Sequence, residues 1–493
     1  MGLQTFDVKT QQFLHWLRND ANVQISEKID LVDLRSENQG RCVIATQNIS
    51  SGEVLFEIPR DSLLNVSTSS LAQISPQIRE KLVTAVGHWE GLVLSILYEY
   101  KVLRERSRWW PYFEVFPDIN DMNNLMYWSN DEIQFLKPSP VLTRIGRDSA
   151  KVMYQQILNL IEEFQLQELN AVTWEEFVYV ASVIMAYSFD MECNDFKDLE
   201  SLSDDEDNGV SSVSRDGFLK SMVPLADMLN SDTHLCNAKL MYSTSSLTMT
   251  AVSDIPAGHQ VFNIYGDHPN AEILRRYGYV EWTGSKFDFG EIPLEIISSA
   301  ANQCFGIPIE FVEKVIEIIR DSEKIEQLTE CEPIILDYYD CYVDGQVLPE
   351  SITLIQVLVT AAQIPHIDTF DYENLEGCLQ RITKKAIQIV GNGKMTKRCL
   401  RLCEYIVNER LKDYPSHAFR EMSPDHFEIH NDFLRQRMAE CVLKSEVRSI
   451  QNCFQSLERN YRIIEDQKFL GNVMKRGLES KPKSQRQVKR AKR

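Results

Sequence analysis

Short runs of alternating or β-branched apolar residues occur in two separate parts of the chain. In the first, Gln39 to Asn65, the runs C-V-I-A-T and E-V-L-F-E-I-P flank a turn at Ser50-Ser51-Gly52. In the second, Lys239 to Tyr265, a long strand-like run is followed by a turn at Ile255-Pro256-Ala257-Gly258 and by Q-V-F-N-I-Y. Such runs between turn residues are typical of β-strands. The pattern therefore predicts two β blocks that belong to one β-rich unit.

The two β blocks also repeat each other. The pattern A-x-x-x-I-x-x-G-x-x-x-F occurs twice, once in each block: Ala45, Ile49, Gly52 and Phe56, then Ala251, Ile255, Gly258 and Phe262. Each copy has a turn glycine between two short strands, which predicts two similar hairpins in one β architecture. The repeat by itself says nothing about chemistry.

Between the β blocks the apolar residues recur at spacings of three and four, as on one face of a helix. This spacing covers Ile78 to Arg104, Val152 to Leu169 and Trp174 to Phe189, and it predicts a helical insertion over about 75–220. The insertion contains a dense group of aromatic residues, Trp109, Trp110, Tyr112, Phe113 and Phe116. These rings are expected mainly in the core, and the alternative is that some of them line a pocket.

After Ser285 the helical spacing dominates. The long amphipathic runs are Pro308 to Ile325, Ser351 to Ala362, Leu375 to Val390 and Asp432 to Glu465. They predict a second, all-α domain over 286–470 that follows a β-rich domain over 1–285. The predicted fold class is α+β.

Composition and charge restrict the class of protein. Of 493 residues, 43% are hydrophobic and 25% charged, as in ordinary soluble proteins, and the length suggests two or three domains. We expect neither a membrane span nor a signal peptide, since the chain has no sufficiently long apolar run. The net charge of −20 disfavours nucleic acid and favours a basic polypeptide as partner.

Two segments depart from the average charge. Asp190 to Asp207 has nine Asp or Glu against one Lys, which predicts an exposed, mobile acidic loop over 190–210. The tail over 471–493 is basic and is expected to be disordered, since Lys475 to Arg493 has nine Lys or Arg against one Glu and almost no apolar residues. Its K-R-x-K-R ending suits recognition by a nuclear import receptor, so we expect nuclear localisation, with a cytoplasmic pool also consistent. The alternative is a tail that only improves solubility.

No residue pattern predicts a metal site. The eleven cysteines include no C-x-x-C pair, and Cys399 and Cys403 have the spacing of one helix face, which favours core packing. His426 and His430 have the same spacing without the Glu that a zinc protease would carry, so they are expected on a solvated helix face.

The segment from Val223 to Tyr279 is the strongest candidate for chemistry. It contains P-L-A-D-M-L-N, N-I-Y-G and R-R-Y-G-Y close together. Tyr265-Gly266 and Tyr277-Gly278 put phenols beside tight turns, where a hydroxyl can be held against a ligand. The alternative is two tyrosines buried at the ends of elements.

The order of four signatures resembles the split-SET methyltransferases, which include the Rubisco lysine methyltransferase. These signatures are G-R-C-V-I-A, P-L-A-D-M-L-N, G-H-Q-V-F-N-I-Y-G and R-R-Y-G-Y-V-E. Within that group A-Y-S-F and the N-x-Y-G sequence are most similar to the fungal ribosomal-protein lysine methyltransferases and a related animal enzyme. N-E-R-L-x-x-Y and R-x-R-M-A resemble the family's helical substrate-binding domain. The resemblance implies a β-rich SET fold interrupted by helices and followed by that domain.

The resemblance also implies roles for particular residues, with S-adenosylmethionine as cofactor. Main-chain groups of Gln39, Gly40 and Arg41, together with Asn230, Ser231 and Tyr277, correspond to the cofactor site. Tyr265 corresponds to the tyrosine at the methyl-transfer centre, and Asp227 to a substrate contact.

Three positions depart from the family pattern. Cys42 replaces a glycine, Ser231 a histidine and Gln260 a glutamate. Cys42 is compatible with negative φ. Ser231 lowers cofactor affinity unless only a main-chain contact is required there, and Gln260 is expected to matter least.

The sequence therefore predicts a protein-lysine methyltransferase, most plausibly acting on a basic protein of the large ribosomal subunit. A transcription factor or histone is the alternative substrate. Two further alternatives are a degenerate SET module that binds peptides without turnover and an acidic helical scaffold. The scaffold leaves the ordered Gly, Asn and Tyr motifs unexplained.

Overall fold

The computed structural model describes residues 5–37, 39–192, 217–329, 332–420 and 431–479. The chain divides into two units. The first comprises Met1–Phe135, Val141–Lys286 and Ser423–Met438, and the second Leu136–Pro140, Phe287–Met422 and Ala439–Arg493. The sequence analysis placed the domain boundary between residues 285 and 286, so it did not predict that the short segment Leu136–Pro140 would belong to the second unit.

Among the residues that the structure describes, ten short strands form the sheets of the first unit. Four of them make the largest sheet, in the order β1-β4-β9-β8, while β2 pairs with β3, β5 with β6, and β7 in parallel with β10. Their bounds are β1 Gln24–Ile25, β2 Ile29–Asp33, β3 Arg41–Ala45, β4 Val54–Pro59, β5 Ser188–Glu192, β6 Phe218–Met222, β7 Asn230–Ser231, β8 Ala238–Tyr242, β9 Ser246–Ala251 and β10 Phe262–Asn263.

The two copies of the repeated sequence pattern pair with each other and do not form two separate hairpins. The amides and carbonyls of Ile49 and Ile255 bond to each other at 2.9 Å in both directions. In the same way Gly52 N donates to Ala251 O at 2.8 Å, and Gly258 N donates to Ala45 O at 2.7 Å. The hairpin prediction was wrong because each turn carries the chain away from the preceding strand, so the two copies satisfy each other's backbone groups.

Within the described residues, eight α-helices lie wholly in the first unit. They are α1 Phe6–Asn19, α2 Pro76–Thr84, α3 His88–Leu97, α4 Trp110–Phe113, α5 Asn130–Ile133, α6 Arg147–Glu163, α7 Trp174–Tyr187 and α8 Asn270–Tyr277. A capping box of Thr173 and Glu176 begins α7. The sequence analysis extended this helix to Phe189 and began the acidic loop at Asp190, but Ser188–Glu192 is strand β5, paired with β6. Pairing of Asp190 with Lys220 overrides the local charge pattern.

The predicted aromatic group is divided between the core and a cleft. Trp109, Tyr112 and Phe113 are buried in the core of the first unit. Trp110 and Phe116 are only partly buried against that core. Trp110, Phe113 and Phe116 contribute to the walls of a cleft, so both alternatives from the sequence analysis apply to parts of the group.

The second unit is predominantly helical, and it also contains two short two-stranded sheets that the periodicity did not predict. Its helices are α9 Leu294–Phe305, α10 Ile309–Asp321, α11 Glu323–Glu326, α12 Pro349–Ala361, α13 Tyr372–Val390, α14 Lys397–Lys412, α15 Asn431–Asn460, whose residues up to Met438 count with the first unit, and α16 Asp466–Glu479. The strands are β11 Phe289–Pro293 with β12 Tyr338–Tyr342, and β13 Lys394–Thr396 with β14 Arg462–Ile464.

A separate apolar core supports the second unit, and α12 is buried from Ser351 to Ala361. Cys399 and Cys403 lie in this core, which confirms the core interpretation of their spacing. The prediction of a disordered tail was wrong for residues 471–479, which continue helix α16 because Phe469 and Val473 of this helix pack into the core. His426, His430, residues 193–210 of the acidic loop and residues 480–493 of the basic tail lie outside the described residues. Within the described residues, no helix has the length and apolarity needed to cross a membrane.

Candidate active site

Strand pairing brings Gln39, Gly40 and Arg41 to the centre of the first unit. Val261 N donates to Val43 O at 2.8 Å, so the segment before β10 runs beside β3. Gly40 has a φ of +65°, in the left-handed region that favours glycine, and its carbonyl accepts a hydrogen bond from Leu34 N at 2.7 Å. Apart from adjacent residues, no atom lies within 4 Å of the position of a Cβ atom on Gly40. This main-chain face is therefore open to a ligand.

Three amide side chains form a hydrogen-bonded group beside this turn. Asn230 Nδ2 donates to Gln260 Oε1 at 3.0 Å and to the Gln39 carbonyl at 3.3 Å. Gln260 Nε2 in turn donates to Gln39 Oε1 at 2.5 Å. Gln260, treated in the sequence analysis as a minor departure, thus adds a second connection between Asn230 and Gln39, beside the Gly40 turn.

Tyr265 lies two residues after the end of β10, not within a strand, and belongs to a cluster of tyrosine rings. Its ring centroid is 4.8 Å from that of Tyr277 and 6.4 Å from that of Tyr279. The Tyr265 hydroxyl donates to the Leu229 carbonyl at 2.7 Å, and its amide donates to Ser231 Oγ at 3.3 Å. Burial raises the pKa of Tyr265 well above its usual range, so the phenol stays protonated at neutral pH.

Asp227 is a buried carboxyl group with one paired oxygen. The Tyr112 hydroxyl donates to Asp227 Oδ2, whereas Asp227 Oδ1 has no hydrogen-bond partner among the described residues. Asp227 is 5% exposed, and burial raises its pKa to about 7. At neutral pH this carboxyl group therefore exists in both protonation states, with a free acceptor for a donor from a ligand.

The structure accounts locally for two of the departures from the family pattern. Cys42 is buried in β3 opposite Val32, where the extended backbone accommodates a side chain, and burial raises its pKa to about 12. Ser231 uses its hydroxyl to accept from Tyr265 N and its carbonyl to accept from Tyr279 at 3.4 Å. Ser231 thus holds two of the tyrosines in place.

The Arg41 side chain points into the protein. Its guanidinium donates to Thr10 Oγ1 at 2.9 Å and to the Val115 carbonyl at 2.8 Å, and lies 3.8 Å from the centre of the Phe6 ring. Burial lowers the pKa of Arg41 to about 10. These contacts leave only the main chain of Arg41 for a ligand.

Tyr112, Tyr279 and Gln260 are site residues to which the sequence analysis assigned no functional role. Tyr279 is the last residue of the R-R-Y-G-Y motif, so the motif could have identified it, but a role was assigned only to Tyr277. Gly278, with a φ of +77°, ends α8 between these tyrosines, and a Cβ atom there would lie 2.6 Å from Asn124 N. Tyr112 comes from a distant segment, so only the fold reveals its contact with Asp227.

Comparisons with known proteins agree with this arrangement. The SET domain family matches residues 40–266. Ribosomal lysine N-methyltransferase 4 of Saccharomyces cerevisiae is 43% identical over 489 residues, covering 98% of both chains. N-lysine methyltransferase SETD6 of Homo sapiens is 31% identical over 272 residues, or 54% of this chain and 53% of that protein. The crystal structure of the SET domain of LSMT bound to MeLysine and AdoHcy has a TM-score of 0.59 at 16% identity, over 97% of this chain and 96% of that one.

The fold is that of a SET domain followed by a helical region. The chain belongs to the SET-domain protein-lysine N-methyltransferases, and it is therefore an enzyme. Its cofactor is S-adenosylmethionine, the methyl donor of this family. The residues present fit such a ligand, because contacts join them into one site. The Asn230 amide donates to the Gln39 carbonyl beside the open face at Gly40, and its neighbour Ser231 accepts from Tyr265 N, whose ring contacts that of Tyr277.

Proposed function

We propose that this enzyme methylates a lysine of a large-subunit ribosomal protein, with Tyr265 at the methyl-transfer centre. The observation that carries the choice of substrate is the 43% identity, over 98% of the chain, to a yeast enzyme named for ribosomal lysine methylation. The net charge of −20 supports the same choice, since an acidic enzyme attracts a lysine-rich protein electrostatically.

The cofactor site in this proposal is built from the turn and the amide group. Main-chain groups of Gln39, Gly40 and Arg41 hold the methionine and ribose ends, and Asn230 and Ser231 complete the site. The buried Arg41 guanidinium and the open face at Gly40 support a main-chain role for this segment. The Tyr277 ring, in contact with Tyr265, supplies an aromatic wall. S-adenosylmethionine, when bound, supplies an electrophilic methyl group.

The lysine amine must lose its proton before it can attack. For an ordinary lysine at pH 7 this costs about 4–5 kcal/mol, which burial near other positive charge reduces. Tyr265 is not the base, because its raised pKa keeps the phenol protonated. Its hydrogen is directed to the Leu229 carbonyl, so the oxygen lone pairs remain free to accept an N–H of the amine. Tyr265 therefore orients the nucleophile.

Asp227 receives the substrate in its charged form. The unpaired Oδ1 is an acceptor for the incoming ammonium, and the Tyr112 hydroxyl holds the other oxygen. Because burial raises the pKa of Asp227 to about 7, ionised Asp227 becomes more abundant as the pH rises through neutrality. Capture of the lysine thus improves over the same pH range in which deprotonation of its amine becomes easier.

The test is transfer of labelled methyl from S-adenosylmethionine to unmethylated large-subunit ribosomal proteins, with a histone fraction in parallel. Wild type is compared with Tyr265→Phe, Asn230→Ala and the matched control Tyr242→Phe, a tyrosine exposed on β8. We expect one small basic band, lowered by about 10²-fold or more in Tyr265→Phe and Asn230→Ala and unchanged in the control. Preferential labelling of histones would reject the ribosomal substrate, and full activity of Tyr265→Phe would reject the assigned centre.

We also propose that the basic tail directs the enzyme to the nucleus through an import receptor. The charge pattern at residues 489–493 is the support for this proposal. Fusion of the full chain to a fluorescent protein tests it, with those four basic residues replaced by glutamine in the variant. Equal nuclear accumulation of the two fusions would leave the tail without this role.

A further inference from the structure

A cleft in the first unit is lined by other residues than those assigned to methyl transfer. Its volume is about 510 Å³, within the range of roughly 300–1,000 Å³ for ligand sites. The walls come from α1, the end of α3, the α4 segment and the start of α7. None of the eight predicted site residues lines it.

Aromatic rings form much of the cleft wall. Tyr100 stacks on Trp110 with 5.8 Å between centroids and meets Phe113 edge-on at the same distance. Tyr100 is 37% exposed, which leaves part of this aromatic cluster accessible to solvent. It lies on Tyr98–Leu103, a π-helical turn, which is a rare structure found frequently at functional sites.

The charge of the cleft is unbalanced toward acid. Glu176 pairs with Lys101, so these two charges offset each other. The carboxylates of Glu114 and Glu175 have no ionic or hydrogen-bonding partner among the described residues, and the Asp118 carboxylate is bound only to Asn120 of its own turn. Lys9 is the remaining cation in the wall, which leaves a net charge of about −2.

We propose that this cleft binds a lysine- or arginine-bearing segment of the protein substrate, at a point distinct from the lysine that is methylated. A cation on an apolar stem fits both features of the wall, because aromatic faces attract cations and the free carboxylates pair with them. This inference rests on the proposed function insofar as it takes a basic protein to be the substrate.

Packed side chains connect the cleft to the methyl-transfer centre. The Phe116 ring in the cleft wall lies 4.7 Å from the Tyr112 ring, edge-on, and the Tyr112 hydroxyl bonds to Asp227. Tyr179, also in the wall, donates to the Pro117 carbonyl at 2.9 Å. A substrate segment held in the cleft therefore contacts the layer of rings directly behind Asp227.

A binding experiment tests the proposal without any need for catalysis. The probe is a fluorescent decalysine peptide, titrated against the full-length enzyme at low ionic strength and followed by anisotropy. The cleft variant is Glu114→Lys with Glu175→Lys, and Tyr100→Leu removes the exposed ring while keeping an apolar side chain. We expect the charge reversal to weaken binding about tenfold and Tyr100→Leu about threefold.

The matched control is Glu80→Lys with Glu162→Lys, two exposed acids of the same unit that do not line the cleft. This pair changes the net charge equally, and we expect it to weaken binding less than about twofold. Equal losses in the two charge reversals would overturn the proposal, because the peptide would then respond only to overall charge. Wild-type binding by the cleft variants would overturn it as well.

The two proposals fail in different ways. If wild type does not methylate ribosomal proteins but decalysine binding is lost only in the cleft variants, the substrate assignment fails and the cleft site stands. Replacing the four basic residues at 489–493 with glutamine identifies a competing occupant. Tighter decalysine binding by that variant would assign the cleft to the chain's own tail and overturn the assignment to substrate.

Discussion

Replacing Asp227 with asparagine should make the stability of the first unit less sensitive to pH. Burial raises the pKa of Asp227 from 3.8 to about 7. A carboxyl group whose folded pKa lies above its unfolded pKa destabilises the fold when it ionises. Stability is therefore lost as the pH rises from about 4 to about 7.

The size of the effect follows from the two pKa values. The destabilisation is about 2 kcal/mol at pH 5 and about 4 kcal/mol at pH 8, a difference of about 2–3 kcal/mol. Asp227→Asn removes this difference, although its buried amide N–H groups cost about 1–3 kcal/mol at every pH. Relative to wild type, the variant should gain about 2–3 kcal/mol between pH 5 and pH 8 while losing methyl-transfer activity.

Tryptophan fluorescence during urea unfolding is the appropriate assay. All seven tryptophans lie between Trp16 and Trp282, so the signal reports on the first unit. Asp131→Asn, at an exposed position of α5, is the control and should change little between the two pH values. A constant free-energy difference between Asp227→Asn and wild type at pH 5 and pH 8 would refute the reasoning.

Three further substitutions test other parts of the structure. Gly40→Ala puts a Cβ atom on a residue with a φ of +65°, which costs about 1 kcal/mol. The affinity for S-adenosylmethionine, measured by titration calorimetry, should fall. An unchanged affinity would contradict a main-chain contact to the cofactor. Asn270→Ala removes reciprocal bonds of 2.8 and 2.9 Å to the Glu281 backbone, so tryptophan-monitored unfolding should show a loss of about 2–4 kcal/mol, and wild-type stability would contradict the pairing. Arg410→Met leaves the Glu291 carbonyl without its 2.9 Å donor, so the free energy of unfolding of the second unit, measured by calorimetry, should fall by about 3 kcal/mol. An unchanged free energy of unfolding would show that Arg410 does not stabilise this unit.

The order of short motifs was informative because each motif has a backbone requirement as well as a side chain. Gly40 needs a left-handed conformation, Gly278 needs space beside Asn124, and Asn230 must hydrogen-bond to Gln260 and to the Gln39 carbonyl. These requirements constrain the sequence locally, so they could be recognised in order along the chain. The hairpin prediction failed because periodicity identifies strands but not their partners.

The amino-acid sequence by itself determined the alternation of β-rich and helical regions, the core role of Cys399 and Cys403, and the family to which the enzyme belongs. These depend on local periodicity, burial preference and motif order, all of which can be read along one chain. Only the tertiary structure decided that the two repeat copies pair with each other, that Tyr112 from the helical insertion binds Asp227, and that Glu114 and Glu175 border one cleft. These contacts join residues far apart in the chain, and their burial and electrostatics arise only when the fold brings them together.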